Sequence, residues 1–264
     1  MRSNGALQTS DLSTDMHELR KTYAETGYVI AKQVFSASSL ATLGESLRAV
    51  LNKPAHDESD LTSPISDLIM KREAQDHNLV YKASQSVGSS AATYQLLGGS
   101  GIFDLVSEVT GYDKAGLHVM PMYLIVQPPS DERFDYSWHQ DGSYYAWCKD
   151  FLTLWFPVNR STKRDTGTIS VLRGSHQDGP RETDTFLKHG FFKQIQSRLK
   201  PGEEANEEWI EADLGDCCIM AGNAVHRSVA NRSNSPRVAG VLRIASLGEE
   251  QAYERERFYC VHKS

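Results

Sequence analysis

The chain has 264 residues, of which 39% are hydrophobic and 23% charged. This balance excludes a collagen-like fibre, a coiled coil and a wholly disordered chain. A formal net charge of −6 argues against general nucleic-acid binding, and no apolar run is long enough for a transmembrane helix.

Helices are predicted for the first third of the chain. Apolar residues recur at spacings of three and four in the first of them: Leu12, Met16, Leu19 and Tyr23. Gly27 ends this helix, and a strand is expected over 28–34. Ser36 or Ser39 then caps a second amphipathic helix that carries a leucine stripe. Shorter helices are expected over 91–97 and 102–110.

Short strands dominate from about residue 117 onwards. They are predicted at 117–126, 153–158, 168–172, 209–212, 217–220, 225–229 and 237–245. Strands this short and numerous favour a double-sheet barrel or sandwich. The chain is therefore predicted to be mainly β with flanking helices. We expect residues 1–264 to form a single domain, with helices over about 11–115 packed on a β core over about 117–250.

The N-terminus and the cysteines bear on the cellular setting. Residues 1–15 are polar, without the apolar core of a signal peptide. The four cysteines form no CxxC pair and no zinc-ribbon spacing. Cys217 and Cys218 are adjacent in an apolar stretch, which is typical of buried free thiols. We expect a cytoplasmic protein; no membrane partner is predicted, and the oligomeric state is left open.

Two His-x-Asp triplets are candidate metal-binding pairs, His139-Gln140-Asp141 and His176-Gln177-Asp178. The first follows an aromatic–polar–aromatic alternation typical of a strand end, where residues i and i+2 point to the same side. The second lies between Gly174-Ser175 and Gly179-Pro180, a turn composition that aligns no such pair. We therefore expect the first triplet, and not the second, to bind metal.

A third ligand has to come from elsewhere, and His226 is the candidate. Two histidines and one carboxylate on one face of Fe(II) leave three positions for substrates and oxygen. Residues 231–234 predict a hairpin turn that would place Ser228 opposite Arg237, and His226 opposite Ala239. Arg237 would then lie one rung beyond the metal, where its guanidinium can hold the far end of a dicarboxylate.

Other roles stay open for these residues. His226 is equally compatible with an ordinary hydrogen-bonded strand histidine, and Arg237 with a solvent-facing edge arginine. Arg243 lies an even number of residues after Arg237 on the same strand, so both side chains are expected on the same face. Arg243 is therefore the alternative partner for a carboxylate.

Taken together, these motifs resemble the phytanoyl-CoA dioxygenase (PhyH) family of Fe(II)- and 2-oxoglutarate-dependent oxygenases. The motifs that carry the resemblance are His139-Gln140-Asp141, His226 with Ser228, Arg237, residues 167–176 ending in Gly-Ser-His, Leu214-Gly-Asp216 and residues 27–30. The resemblance runs through nearly the whole chain. It implies a double-stranded β-helix core of the jelly-roll, cupin-like type.

The resemblance also implies a cofactor, two cosubstrates and their ligands. His139, Asp141 and His226 would be the catalytic iron ligands, with 2-oxoglutarate and O2 as cosubstrates. Arg237, assisted by Ser228, would pair with the distal carboxylate of 2-oxoglutarate. Four further residues are implied as cosubstrate contacts: Trp155, Tyr123, Gln140 and Lys82. For Lys82, in the helical third that aligns poorly, a solvated lysine is the alternative.

The reaction expected from the resemblance is oxidation of a small-molecule metabolite with release of succinate and CO2. Because Asp141 is present where some families of this fold have Ala or Gly and bind chloride, hydroxylation is expected and halogenation is not. Candidate substrate contacts are Trp138, Tyr144, Tyr145, Trp147 and Arg173. Two alternatives remain, a non-catalytic jelly-roll ligand-binding protein and a zinc hydrolase that uses the same His/Asp/His site.

Overall fold

The computed structural model describes residues 9–53, 58–145, 148, 150–188 and 192–247. Its α-helices are α1 (Thr9–Thr26), α2 (Ala37–Asn52), α3 (Ile65–Gln75), α4 (His77–Val87), α5 (Ala91–Gly99) and α6 (Ile102–Thr110). Its strands are β1 (Tyr28–Ala31), β2 (Leu117–Val119), β3 (Tyr123–Gln127), β4 (Phe151–Pro157), β5 (Ile169–Leu172), β6 (Thr183–Lys188), β7 (Phe192–Ser197), β8 (Glu207–Trp209), β9 (Cys217–Ala221), β10 (His226–Ser228) and β11 (Arg237–Ser246).

The strands form two main antiparallel sheets and a separate hairpin. The major sheet has the order β1-β9-β4-β11-β2, and β3 also pairs with β11. The minor sheet has the order β10-β5-β8, and β6 pairs with β7 alone. One cavity is lined by residues of both main sheets. This is the jelly-roll arrangement with flanking helices that was predicted.

Strand β4 shows how the major sheet divides the molecule. All of its residues are buried, and successive side chains point to opposite faces. Leu152, Leu154 and Phe156 belong to the core shared with the helices. Thr153 and Trp155 line the cavity on the other face. The core shared with the helices therefore lies on one face of the sheet, and the other face contributes to the cavity.

Helix α2 contributes a row of leucines to this shared core. Its Ser36 N-cap accepts a hydrogen bond from the backbone N–H of Ser39 at 3.1 Å, which decides between the two predicted caps. The buried stripe consists of Leu40, Leu43, Leu47 and Leu51. Burying each leucine contributes roughly 1.5–3 kcal/mol, so this stripe holds α2 against helices α3, α4 and α5.

Gly88 follows α4, where the chain passes against the backbone before β3. A Cβ at this position would lie 1.5 Å from the carbonyl oxygen of Met122. We expect Gly88→Ala to lower the free energy of unfolding by at least about 2 kcal/mol, because backbone has to move. Gly98→Ala is the matched control: apart from the neighbouring residues and backbone of its own helix, no atom lies within 4 Å of a Cβ there, and alanine should add about 0.5–1 kcal/mol to the stability of helix α5. Urea unfolding midpoints measure both; equal midpoints would contradict the expectation.

The predicted hairpin between β10 and β11 is wrong. Strand β10 pairs with β5 in the minor sheet, with His226 opposite Val171 and Ser228 opposite Ile169. Strand β11 pairs with β3 and β4 in the major sheet, so Arg237 lies opposite Gln127. The chain between them crosses from one sheet to the other, a connection that local sequence does not distinguish from a turn.

Three of the four cysteines lie within the described residues. Cys148, Cys217 and Cys218 are buried and free, as predicted for the latter two; Cys260 lies outside the described residues. Within these ranges, every helix is too short or too polar to cross a bilayer.

Candidate metal and cosubstrate site

An isolated β-bridge brings the two candidate histidines together. The backbone N–H of His139 donates to the carbonyl of His226 at 2.9 Å, and that of His226 donates back to His139 at 2.9 Å. The two imidazole centroids are consequently 4.2 Å apart. A short 3-10 turn begins at Asp141 and carries its carboxylate to the same point.

Hydrogen bonds to the backbone fix the tautomer of each imidazole. The Nδ1 of His139 lies 2.7 Å from the Ser137 carbonyl, and the Nδ1 of His226 lies 3.1 Å from the Ala224 carbonyl. A carbonyl only accepts hydrogen bonds, so each Nδ1 carries the proton and each Nε2 presents a lone pair. Burial, together with the neighbouring His226, lowers the pKa of His139 to about 4. His139 is therefore neutral at pH 7, as a metal ligand requires.

The Asp141 carboxylate faces both lone pairs. Its oxygens are 3.8 Å from Nε2 of His139 and 4.0 Å from Nε2 of His226. The ligand atoms of the three buried residues all lie within 4.8 Å of one another. Two imidazoles and one carboxylate on one side of a cavity match the facial triad of non-haem Fe(II) sites. The donor set present therefore fits the metal that the sequence resemblance implies.

Two side chains orient the carboxylate from behind. The hydroxyl of Thr153 donates to Oδ2 of Asp141 at 2.6 Å, and Nη2 of Arg243 donates to Oδ1 at 2.9 Å. Such outer contacts fix ligand geometry and raise metal affinity.

Removing the Thr153 hydroxyl tests this support. We expect Thr153→Val to weaken Fe(II) affinity about 10- to 100-fold, because the isosteric side chain leaves Asp141 with one fixed oxygen. Competition with a chelator measures the affinity. Thr162→Val is the control: its buried hydroxyl donates to the Ala212 carbonyl outside the cavity. An equal loss of iron affinity in both variants would contradict a role for Thr153 at the metal.

The cavity next to the triad has a volume of about 480 Å³ and runs between the two sheets. Tyr136, Tyr144 and Tyr145 stand beside the metal ligands, and apolar side chains such as Met122 and Ile125 form much of the remaining wall. Burial raises the pKa of Tyr136 to about 12, so this phenol is neutral at pH 7. The cavity is a mostly apolar pocket with a few polar groups, as small-molecule sites usually are.

Arg237 lines the same cavity and is only 1% exposed. Its Nη2 donates to Oε1 of Gln127 at 2.7 Å. Among the described residues, its Nε and Nη1 have no hydrogen-bond partner. Burial, together with repulsion from Arg160, lowers the pKa of Arg237 to about 10, and it stays cationic at neutral pH. A buried cation with two unmet donors is costly unless an anion binds it, so this guanidinium fits a carboxylate ligand.

Comparison with known proteins identifies the family. A model of the family described as phytanoyl-CoA dioxygenase (PhyH) matches residues 23–239, well over half of the chain. The chain belongs to the phytanoyl-CoA dioxygenase family. Together with the triad, this membership makes it an Fe(II)- and 2-oxoglutarate-dependent dioxygenase, so the resemblance seen in the sequence is confirmed.

Proteins similar in sequence or in structure to this dioxygenase carry names of several activities. 1-Deoxypentalenic acid 11-beta-hydroxylase of Streptomyces arenae is 26% identical over 236 residues, covering 85% of this chain and 78% of that protein. The solved non-heme monooxygenase ThoJ, in its apo form, has a TM-score of 0.62 at 17% identity, covering 86% of this chain and 77% of its own. The epimerase SnoN, solved with Fe3+, alpha ketoglutarate and nogalamycin RO, has a TM-score of 0.62 at 18% identity, covering 89% and 84%. These structural likenesses show the jelly-roll fold.

The structure places most of the predicted contact residues of the dioxygenase in its cavity. Cavity-lining residues among them are Tyr123, Trp155, Ser228, Tyr144 and Tyr145, besides the triad and Arg237. Ser228 shares the cavity with Arg237 although the two are not strand partners, because their sheets face each other across it. Trp147 lies outside the described residues.

Gln140 and Lys82 lie away from the cavity. The Gln140 amide donates to the carbonyls of Gly179 and Asn223 at 2.9 and 2.6 Å and accepts from the Arg181 N–H at 2.9 Å. It therefore ties three backbone segments together and has no group left for a cosubstrate. Lys82 is exposed on α4, which agrees with the solvated alternative.

Trp138 and Arg173 also lie outside this cavity. Trp138 packs with Leu172 and Val225 in a separate small core, and the Arg227 guanidinium stacks on its ring at 4.5 Å. Arg173 is exposed and pairs with Glu208 at 3.7 Å. Neither side chain is placed to contact a substrate at the triad.

The second His-x-Asp triplet lies in a turn, as its composition predicted. Residues Ser175–Asp178 form a 3-10 helix, in which Asp178 pairs with Arg181 and Lys200. Nε2 of His176 lies 3.1 Å from the Ala24 carbonyl. In the described part of the chain, the His139, Asp141 and His226 cluster is the group with metal-ligand spacing.

Several residues in or next to the cavity were missed in the sequence. Gln127 contacts Arg237 from outside the cavity lining, and Thr153 contacts Asp141. The α4 residues Tyr81, Ser84 and Gln85 line the cavity. Thr153 could have been found, because it has the same strand parity as Trp155. The α4 residues carried no signal, because a sequence does not show which neighbour a helix face packs against.

Proposed function

We propose that this dioxygenase hydroxylates a small-molecule metabolite, with release of succinate and CO2. The proposal rests on the buried His139/Asp141/His226 triad, which shares a cavity with Arg237. Among the described residues, the Nε and Nη1 of this guanidinium have no hydrogen-bond partner. When bound, Fe(II) supplies the activation of O2 that 2-oxoglutarate oxidation drives. The protein's own residues then have to hold, orient and shield the reactants.

Each of these tasks has residues in the cavity. The three ligands are proposed to hold the metal through Nε2, Nε2 and a carboxylate oxygen. Arg237 is proposed to receive the distal carboxylate of 2-oxoglutarate on its Nε and Nη1, with Gln127 holding the third nitrogen. The ring centroid of Trp155 lies 5.9 Å from the guanidinium carbon, within the range of a cation–π contact.

The presence of a carboxylate at Asp141 supports hydroxylation over halogenation. Its carboxylate occupies the third ligand position, held by Thr153 and Arg243, so this position is not left to a halide. The relative from Streptomyces arenae is named a hydroxylase, whereas SnoN is an epimerase. Proteins similar to this chain therefore include more than one reaction type, and product analysis has to decide.

Metal and cosubstrate binding test the enzyme class. Anaerobic addition of Fe(II) and then 2-oxoglutarate should give a weak visible charge-transfer band, which Zn(II) does not give. A zinc hydrolase would instead be active with Zn(II) alone, and a non-catalytic binding protein would release no succinate with any metabolite pool. Either result would overturn the proposal.

Product mass tests the type of reaction. Turnover under isotopically labelled O2, with chloride present, should add one labelled oxygen atom to the product. A chlorinated product, or one that has lost two hydrogens or only changed configuration, would contradict hydroxylation.

A further inference from the structure

A second buried arginine faces the cavity, and the proposed cosubstrate site does not use it. Arg243 lines the cavity, and its side chain is 13% exposed. Its Nη2 donates to Asp141, whereas its Nε has no partner among the described residues. The guanidinium carbon lies 5.0 Å from the ring centroid of Tyr123 and 5.6 Å from that of Tyr145. Burial lowers the pKa of Arg243 to about 10, a sign of how poorly this site solvates the charge.

The two arginines serve different ends of the cavity. They are six residues apart on β11, so their Cα atoms lie roughly 20 Å apart along the strand. Arg237 reaches Gln127, whereas Arg243 reaches the metal ligand Asp141. A five-carbon dicarboxylate held between the metal and Arg237 would leave Arg243 with donors to spare.

At the metal end of the cavity, Arg243 has to share its carboxylate partner. Asp141, to which it donates, is also one of the three metal ligands. Glu73 also lines the cavity, and its carboxylate contacts His77 and Arg133, although Arg133 pairs more closely with Asp131. With the metal bound, Asp141 cannot fully compensate the charge of Arg243, and a largely buried cation without its own counter-charge is unfavourable.

We propose that Arg243 binds a carboxylate of the substrate, and that the substrate is a monoanionic, otherwise apolar small molecule. The walls beyond the guanidinium support the apolar part: Met120, Met122, Ile125 and Val126 line the cavity together with the tyrosines. This inference rests on the proposed function, since it takes the other carboxylate site as filled by 2-oxoglutarate.

Matched ligand pairs test the inference directly. Straight-chain and cyclic monocarboxylic acids, each with the alcohol of the same carbon skeleton, are titrated calorimetrically into the full-length protein under anaerobic conditions with Fe(II) and saturating 2-oxoglutarate. At least one acid should bind about tenfold or more tightly than its alcohol, the range expected for a charge-assisted hydrogen bond.

Two substitutions separate anion binding from support of Asp141. Arg243→Gln keeps a donor for Asp141 but removes the charge, so it should abolish the preference for the acid and leave alcohol affinity within about twofold. Arg243→Lys should retain part of the preference. Arg173→Gln, the same change at an exposed arginine outside the cavity, should retain all of it.

The results of these titrations separate failure of the inference from failure of the proposed function. The inference is overturned if no acid binds more tightly than its alcohol, if an acid displaces 2-oxoglutarate, or if Arg243→Gln weakens both members of a pair alike. In these cases the binding of iron and 2-oxoglutarate to the wild-type protein would still support the proposed function. Failure of iron or 2-oxoglutarate to bind the wild-type protein would instead remove the proposed function, and the inference with it.

Discussion

Replacing His139, Asp141 or His226 by alanine should abolish succinate release and weaken Fe(II) affinity more than about 100-fold. Loss of an outer-shell contact alone costs 10–100-fold, and these residues supply the ligand atoms themselves. Each substitution also leaves the two remaining ligands too few to hold the metal on one face of the cavity. Iron content after desalting and succinate release under O2 measure the two effects.

The second His-x-Asp triplet provides the matched controls. His176→Ala and Asp178→Ala should keep iron and succinate release, because Asp178 belongs to an ion-pair network with Arg181 and Lys200 away from the cavity. Retention of iron in the His139 and Asp141 variants, with its loss in the His176 and Asp178 variants, would show that the metal site has been assigned to the wrong triplet.

Local periodicity was enough to predict much of the fold. The stripe of α2 and its Ser36 cap follow from spacing and side-chain chemistry alone. The strands at β4, β5, β9 and β11 also lie where short apolar runs predicted them. In these elements each local preference agrees with the tertiary packing, which is the condition under which sequence patterns are informative.

Strand pairing is where sequence reasoning failed. The turn-rich residues 231–234 favoured a hairpin, yet Asn231 donates to the carbonyl of Gln127 in the major sheet, and β10 joins the minor sheet. The expected proximity of Arg237, Ser228 and His226 nevertheless holds, because alternation sends each side chain into the cavity whichever strand is its neighbour. The face of a strand on which each side chain lies is determined by local sequence, whereas the choice of partner strand depends on the whole topology.

Helix α3 was missed because a buried charge interrupts its apolar stripe. Arg72 is only 1% exposed; it pairs with Asp60 and donates to the Leu51 carbonyl. In a sequence pattern, a buried arginine cannot be distinguished from a solvent-facing one, because most arginines are exposed. The same reason explains why the contact between Arg243 and Asp141 was not predicted: the partner of a buried charge is set by tertiary structure.

Replacing Arg237 by alanine should raise the half-saturation concentration of 2-oxoglutarate roughly 30-fold or more. The guanidinium offers two unmet donors in a buried setting, and losing a charge-assisted two-pronged contact of this kind costs about 2–5 kcal/mol. Arg237→Lys should be only a partial rescue, because an ammonium keeps the charge but loses the fork. Iron affinity should stay close to the wild-type value, since the guanidinium is not a ligand.

Arg243 provides the comparison that makes this prediction specific. It is also a largely buried arginine on β11 and faces the same cavity, but it contacts the metal ligand Asp141. Arg243→Ala should therefore change 2-oxoglutarate affinity much less than Arg237→Ala does. Anaerobic titration of the iron-loaded variants with 2-oxoglutarate measures both affinities. A large loss in Arg243→Ala with none in Arg237→Ala would place the distal carboxylate at the opposite end of the cavity, and the substrate carboxylate would then have to be reassigned to Arg237.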